Sequence, residues 1–231
     1  MVTGNVILDE LQGSDREPFL ALLEKIAWNV RDVVAPSESL LETVIFPTTC
    51  VLSTTSIMQS GDEVEVAGIG YEGFFPLGIL LGATTCENRT VCQVAGEGMR
   101  IGAAEFRSAL DRFPSLRTLT QRFAQGALTL MSQSIACNRL HPLLERCARW
   151  LLVMDDRVRG DEFRITQEYL AIMLGVRRPA VSVAAQTLQH AGLISYRRGT
   201  MKVLDRAGLE ASSCECYRVV ARTYQRLLGN Q

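Results

Sequence analysis

Two short helical segments joined at a glycine constrain the fold of this chain more than any other feature. The first segment begins at Gln167. Ala171, Gly175 and Val181 stand at the fifth, ninth and fifteenth positions of the motif. A small residue lets two helices approach closely, glycine adopts the positive φ of a tight turn, and a branched apolar residue fills the space between the helices. Residues 167–188 are therefore predicted to form a helix-turn-helix.

The second helical segment carries side chains that are suited to reading DNA. Arginine binds guanine through two hydrogen bonds, hydroxyl and amide groups bond base edges, and an apolar side chain contacts the thymine methyl. Gln167, at the start of the first helix, is placed to donate to a phosphate, and Thr166 is placed to cap that helix. The residues predicted to face DNA from the second segment are Arg177, Arg178, Ser182, Val183 and Gln186.

A basic hairpin follows the second helix. The sequence LISYRRGTMKVLD predicts two short strands around Arg197-Arg198-Gly199-Thr200, which form a β-wing. Arg197, Arg198 and Lys202 are predicted to contact the DNA backbone without reading sequence. An ordinary helical hairpin with solvated arginines is the alternative, but it does not account for the motif spacing, the paired arginines and the wing together.

The net charge of −1 is the sum of an acidic segment (−7), a basic segment (+5) and residues 208–231, which carry 3 basic and 2 acidic side chains (+1). Residues 1–138 carry 9 basic and 16 acidic side chains, a net charge of −7, whereas residues 139–207 carry 12 basic and 7 acidic, a net charge of +5. The later segment is therefore the one that phosphates attract.

The first half of the chain has a different pattern of residue types. From about residue 44 to residue 105, short β-rich runs alternate with Gly, Pro, Asn and Asp, a pattern typical of a small antiparallel barrel or sandwich. Residues 17–34 place apolar side chains at helical spacing and predict a short amphipathic helix. The fold class predicted for the whole chain is α+β.

A long helix is predicted at about residues 114–138. Its apolar positions step by three and four and form a narrow stripe, which favours coiled-coil dimerisation, although packing against its own β-domain is the alternative. The stripe consists of Leu116, Leu119, Phe123, Ala127, Leu130 and Ser134. A helix break between Asn138 and His141 then divides the chain into a sensor domain at 1–138 and a DNA-binding domain at 139–231.

The order of these parts resembles the Crp/Fnr superfamily of bacterial transcription regulators, and the resemblance covers nearly the whole chain. It is most specific in HPLLERCARWLL and ITQEYLAIMLGVRRPAVSVAAQTLQHAGLISYRRG, and looser in VIFPTT, SGDEVEVAGIGYEG and RTVCQVAGEGMRI. The resemblance implies a cyclic-nucleotide-binding-like jelly roll, a winged helix-turn-helix, and a homodimer on a pseudo-palindromic operator. It also implies that Arg178 and Ser182 read bases and that Gln167 binds a phosphate.

Departures from the family pattern limit what the resemblance implies. Pro179 and Val183 replace the glutamate and second arginine of cAMP-responsive members, so a different operator is expected. Arg89 and Thr90 could stand for the pair that clamps a nucleotide phosphate, but no carboxylate follows Gly73 where the ribose would bind. Cyclic AMP is therefore not the expected effector, and the β-domain either keeps its shape for dimer geometry or serves another ligand.

No cofactor and no metal site are predicted. The first cysteine is Cys50, far from the N-terminal cluster that holds an iron–sulfur centre in the oxygen-sensing branch, and His141 and His190 do not indicate haem. The seven cysteines show no CxxC pair, and a redox or metal role for Cys214 and Cys216 stays open.

The chain lacks the histidines and paired groups that an enzyme would need, so catalysis is not expected. A ligand-binding regulatory subunit that acts through protein contacts is the competing function. No apolar run long enough for a membrane span and no signal peptide are present, and a cytoplasmic location is expected. Expected partners are double-stranded DNA and a second copy of the chain, with RNA polymerase and a small-molecule effector as further candidates.

Overall fold

The structure is a computed structural model that describes residues 2–158, 160 and 162–229. Contacts divide the chain into two units. The N-terminal unit comprises Met1–Thr55, Ala67–Leu128 and Thr223–Gln231, and the C-terminal unit comprises Ser56–Val66 and Thr129–Arg222. The domain boundary proposed between residues 138 and 139 stays a prediction.

The N-terminal part is built mainly from short strands. Its helices and strands, in chain order, are α1 (Val6–Asp9), α2 (Arg16–Leu20), β1 (Glu24–Trp28), β2 (Val33–Ala35), β3 (Ser39–Leu40), β4 (Thr43–Pro47), β5 (Val51–Ile57), β6 (Glu63–Ile69), β7 (Thr85–Cys86), β8 (Arg89–Val94), β9 (Gly96–Gly102) and α3 (Ala103–Arg112). Short 3-10 turns lie at Gly13–Asp15 and Leu77–Leu81.

The strands of this part form three sheets. Their strand orders are β1-β9-β4, β2-β8-β5-β6 and β3-β7. Antiparallel pairing is long in range, as in β4 against β9, where Thr43 lies opposite Gly102. The predicted antiparallel β-domain is confirmed, and of the two predicted forms, barrel or sandwich, the described strands form separate sheets and no closed barrel.

Aromatic side chains fill the core of the N-terminal unit. Their ring centroids lie 5.4 to 6.1 Å apart, within the range of favourable edge and tilted contacts. The rings belong to the fully buried Phe19, Phe46, Phe74, Phe106 and Phe123.

The helix predicted at residues 17–34 is wrong. Only α2 is helical there, and β1 and β2 follow it. The full length of β1 pairs with β9, with Glu24 opposite Arg100 and Trp28 opposite Gly96. A ladder to a strand about 70 residues away satisfies the backbone of this segment and overrides its local helical pattern.

The C-terminal part is mainly helical. Its elements are α4 (Pro114–Leu140), α5 (Leu143–Arg157), β10 (Phe163–Arg164), α6 (Gln167–Leu174), α7 (Arg178–His190), β11 (Ile194–Arg197), β12 (Thr200–Val203), α8 (Arg206–Ala211) and α9 (Cys216–Leu228). Strands β10, β12 and β11 form one small antiparallel sheet in that order. Among the described residues, no helix is both long enough and apolar enough to cross a membrane.

The predicted long helix exists as α4, but its apolar stripe faces inward over its first half. Leu116, Leu119, Phe123 and Ala127 are buried within the N-terminal unit. The interpretation of these four positions as a dimer seam is therefore wrong, and packing against the chain's own β-domain accounts for them. The exposed apolar side chains of α4 are instead Leu128, Ile135 and Leu140, which are 60%, 73% and 75% exposed.

Candidate nucleic-acid interface

The helix-turn-helix forms as its sequence predicts. The Thr166 hydroxyl oxygen accepts a hydrogen bond from the Tyr169 backbone N–H at 3.1 Å and caps α6. Gly175 ends α6 with φ 61° and ψ 42°, the left-handed conformation that glycine adopts most easily. Ala171 and Val181 are buried between the helices. The sequence therefore specifies this turn locally, through a cap, a glycine and two core positions.

The outer face of α7 presents the predicted base-reading side chains to solvent. Arg177, Arg178 and Gln186 are exposed, and Val183 is 64% exposed. Pro179 lies in the first turn, where its missing N–H costs no helical hydrogen bond. This face carries hydrogen-bond donors and an apolar side chain, which are the chemical groups needed to read base edges.

Arg178 has a carboxylate partner in this structure. Its Nη1 lies 3.0 Å from Oε1 of Glu168, and both side chains are about 60% exposed. An exposed ion pair of this kind contributes about 0–1 kcal/mol, so it holds the guanidinium in place without preventing its release.

Gln167 and Ser182 are brought together across the turn. The Ser182 hydroxyl donates to Oε1 of Gln167 at 2.6 Å. This bond orients the Gln167 amide, whose NH₂ group is the part suited to donate to a phosphate.

The predicted wing forms a tight hairpin with a basic tip. Strands β11 and β12 are joined at Arg198 and Gly199, which have φ of 51° and 79°. In a two-residue hairpin loop, positive φ at both central residues gives the turn a twist that matches the twist of the two flanking strands. Because side chains alternate along a strand and Met201 is fully buried, Arg197 and Lys202 lie on the opposite, outer face of the wing.

Three of the predicted residues line one open cleft. The cleft has a volume of about 370 Å³ and lies between the start of α6, the start of α7 and the wing. Gln167, Arg178 and Arg198 line it together with Thr166, Glu168, Tyr196 and Gly199. Two guanidinium groups and an amide line one opening and are suited to bind a phosphate group, whereas the Glu168 carboxylate in the same lining opposes such binding. Val183, Gln186, Arg197 and Lys202 are not part of this cleft.

Tyr196, Gln189 and Glu168 are functional neighbours that the sequence analysis missed. The Tyr196 hydroxyl donates to the Ile165 carbonyl at 2.9 Å, and its backbone N–H donates to the Gln189 side chain at 2.7 Å. Burial raises the pKa of Tyr196 to about 12, with the Glu168 charge adding to the effect, so the hydroxyl remains a donor. These bonds fix the wing to α7 and to the segment just before α6, and no local sequence pattern indicates them.

The two residues proposed for an effector lie on β8 in the N-terminal unit. Thr90 is fully buried and its hydroxyl lies 2.8 Å from that of Thr54. Glu72 is also buried, and its carboxylate accepts from the Gly70 backbone N–H at 3.1 Å. That carboxylate is engaged with its own turn, and effector binding at Arg89 and Thr90 stays a prediction.

A second constellation was not predicted from the sequence. Cys137, His141, Cys214 and Cys216 place one donor atom each within 4.8 Å of one another. The available signal was a cysteine and a histidine four residues apart, together with the Cys-Glu-Cys sequence at 214–216. The 72 residues between the two pairs concealed their proximity.

Comparisons with known proteins agree with this geometry. Residues 145–212 match the Crp-like helix-turn-helix domain. FixK2 from Bradyrhizobium japonicum has a TM-score of 0.72 at 14% identity, with 83% of this chain and 98% of that chain covered. No curated protein matches the sequence.

Two further solved structures are similar over most of their length. A Crp/Fnr family protein from Eubacterium rectale has a TM-score of 0.67 at 16% identity, covering 92% of this chain and 97% of that one. The c-di-GMP-responsive global regulator CLP from Xanthomonas campestris has a TM-score of 0.65 at 16% identity, covering 83% and 99%. The chain thus has the fold of the Crp/Fnr regulators and contains a Crp-like helix-turn-helix domain, and the predicted resemblance is confirmed.

Proposed function

We propose that this chain is a DNA-binding transcription regulator of the Crp/Fnr type that acts as a homodimer on a pseudo-palindromic operator. The observation that carries this proposal is the exposed face of α7, with Arg178 at its N-terminal end, inside a Crp-like helix-turn-helix domain. A regulatory subunit that acts through protein contacts would not need that face or the basic wing.

In this proposal α7 enters the major groove. Arg178 exchanges Glu168 for a guanine edge, and Ser182, Val183 and Gln186 contact neighbouring base pairs. Gln167, Arg177, Arg197, Arg198 and Lys202 bind phosphates, which set the register of the helix without carrying sequence information. Arginine at position 178, with proline and valine at 179 and 183, defines an operator different from that of the cAMP-responsive members.

The spacing of successive major grooves in DNA is the reason to propose a dimer. Two copies of α7 meet successive major grooves only if they are spaced by about 34 Å, and a two-fold dimer supplies that spacing. The exposed Ile135 and Leu140 near the end of α4 are suitable apolar residues for the contact between copies.

We also propose that the N-terminal unit receives the regulatory input and that the protein works in the cytoplasm. A small-molecule effector that binds there would favour one spacing of the two α7 helices over another. RNA polymerase is the proposed protein partner on the promoter.

Binding of Arg178→Ala to a selected operator tests the function. The operator is first obtained by selecting genomic fragments with the purified protein. We expect this substitution to weaken operator binding by about 1–3 kcal/mol and to relax preference at one base pair, because one bidentate base contact is lost. Arg222→Ala is the matched control, since Arg222 is an exposed arginine on α9 and lies outside the proposed interface.

Two results would contradict the proposal. One is a parent protein that selects no fragment at low salt, and the other is equal loss of affinity in the Arg178 and Arg222 variants. Loss at Arg178 without any change in base preference would reduce its role to a phosphate contact.

A further inference from the structure

Four metal-ligating side chains meet at the junction of α4, α8 and α9, inside the C-terminal unit. Cys137 and His141 are one helical turn apart at the end of α4, where the His141 backbone N–H still donates to the Cys137 carbonyl at 3.0 Å. Cys214 precedes α9 and Cys216 is its first residue. The three cysteines are buried and His141 is nearly so, with 18% of its side chain exposed.

Two distances within this group match the geometry of one tetrahedral ion. The Sγ atoms of Cys137 and Cys214 lie 3.5 Å apart, and Sγ of Cys216 lies 3.5 Å from Nδ1 of His141. Zinc bonds of about 2.3 Å to sulfur and about 2.0 Å to nitrogen, set at tetrahedral angles, separate two sulfurs by about 3.8 Å and a sulfur from a nitrogen by about 3.5 Å. These two pairs are thus within about 0.3 Å of the tetrahedral separations, and all four donors lie within 4.8 Å of one another, so shifts of up to about 1 Å would complete the site.

The groups that contact His141 and Cys216 are also those found around a metal site. Nδ1 of His141 faces the sulfurs while its Nε2 lies 3.3 Å from a carboxylate oxygen of Glu215. A ligating histidine commonly donates its other ring N–H to a carboxylate in this way, which fixes the tautomer and the ring plane. The Gln133 side-chain NH₂ donates to Sγ of Cys216 at 3.1 Å, a bond that would stabilise a thiolate.

Nearby cations balance the charge of such a site. Three thiolates around a divalent ion carry a net charge of −1, which is costly to bury unless it is compensated. Arg149, itself buried, interacts electrostatically with Cys137, and Arg146 interacts with both Cys137 and Cys214. Arg146 also donates to the carbonyl of Leu174, the last residue of α6.

We propose that Cys137, His141, Cys214 and Cys216 bind one Zn²⁺ ion in a closed Cys₃His structural site. The ion joins the end of α4 to the start of α9, and Arg146 connects this junction to the turn of the helix-turn-helix. Soft thiolate ligands with one imidazole, in a tetrahedral arrangement, select zinc over the hard cations. An iron–sulfur cluster spreads its ligands over several iron atoms, whereas these four donors lie within 4.8 Å of one another, close enough to share one ion.

Metal content of the wild-type protein is the first test. Full-length protein is purified under reducing conditions without chelator, and its zinc is measured by elemental mass spectrometry. We expect one zinc per chain. We also expect that replacing it with Co²⁺ produces thiolate-to-cobalt charge-transfer bands and the intense visible bands of a tetrahedral site. Removal of the metal with a strong chelator should lower the Tm, and added Zn²⁺ should restore it.

Variants then assign the ligands. His141→Ala and Cys216→Ser should lose the stoichiometric metal, whereas Cys147→Ala should keep it, because Cys147 is a buried cysteine of the same unit outside the group. Glu215→Gln leaves all four ligands in place and should lower zinc affinity by about 10-fold to 100-fold. Glu105→Gln, an exposed carboxylate on α3, is its control and should change nothing.

The wild-type measurements keep the test decisive even if a ligand variant fails to fold. Zinc-free protein whose reduced form gives no cobalt spectrum would overturn the proposal. A Cys137–Cys214 disulfide found by peptide mapping in protein purified without chelator would overturn it in favour of a redox pair. Neither readout involves DNA, so a failure here is separate from a failure of the proposed function.

Discussion

Glu168 determines what Arg178 contacts when no DNA is bound. The two residues face each other across the turn, one near the start of α6 and the other at the start of α7. Their 3.0 Å ion pair holds the guanidinium at the mouth of the cleft. The Glu168 carboxylate attracts the Arg178 guanidinium and repels phosphates. We therefore expect Glu168 to oppose DNA binding in two ways: it competes with DNA for Arg178, and it repels the DNA backbone.

Glu168→Gln is therefore expected to tighten operator binding by up to about fivefold, the equivalent of an exposed ion pair of up to about 1 kcal/mol. A double-mutant cycle with Arg178→Ala separates the two effects. If Glu168 competes for the arginine, the gain shrinks in the Arg178→Ala background, and electrostatic repulsion alone would leave it unchanged. Weaker operator binding by Glu168→Gln would show that the carboxylate positions Arg178 instead.

At the scale of elements, the turn between α6 and α7 depends on one backbone conformation. Gly175 has φ 61°, and a Cβ added there would lie 3.2 Å from a methyl group of Val64. Alanine has to adopt the same strained conformation, since Ala171 and Val181 hold the two helices at a fixed distance.

Gly175→Ala should lower the free energy of unfolding of the C-terminal unit by about 1–2 kcal/mol. Urea unfolding followed by the fluorescence of Trp150, in a Trp28→Phe background, reports on that unit. Gly160→Ala is the control, because Gly160 has no positive φ and no close neighbour; it should be neutral or slightly stabilising. Equal stability of the two variants would contradict the role of the Gly175 conformation.

Elements that depend on neighbouring residues were predicted from the sequence, and those that depend on distant partners were not. The cap at Thr166, the turn at Gly175 and the wing tip at Arg198 are all specified within a few residues. Strand β1 was missed because its partner β9 begins about 70 residues later, and local periodicity there mimics a helix. The Cys₃His group was missed for the same reason, since α5 to α8 lie between its two halves in the sequence.

Helix α4 shows an intermediate case. Its apolar stripe correctly marked buried positions, yet periodicity cannot say whether a helix packs on its own chain or on a second copy. Phe123 packs within its own unit, with its ring 5.4 Å from that of Phe74. The exposed apolar side chains of α4, those of Leu128, Ile135 and Leu140, are ones that the stripe did not include.

At the scale of the whole molecule, charge determines which part of the chain meets DNA. The 1–138 segment is acidic and the 139–207 segment is basic, so the field of the protein favours approach through the C-terminal unit. In the proposed homodimer, affinity for a pseudo-palindrome depends on two copies binding together, because the second α7 binds at high effective concentration once the first is bound.

Ile135→Asp tests whether that pairing uses the exposed side of α4. Ile135 is 73% exposed, so a charge there costs little in the single chain but would be buried at an interface between copies. We expect light scattering to show a shift from about 51 kDa, twice the 25.5 kDa of one chain, to the monomer mass. Operator affinity should fall by about 100-fold or more, because each copy then binds one half-site alone.

Thr118→Asp is the control. Thr118 is an exposed residue near the start of the same helix, and its substitution should leave mass and affinity unchanged. A dimer that survives Ile135→Asp would place the interface elsewhere on the molecule.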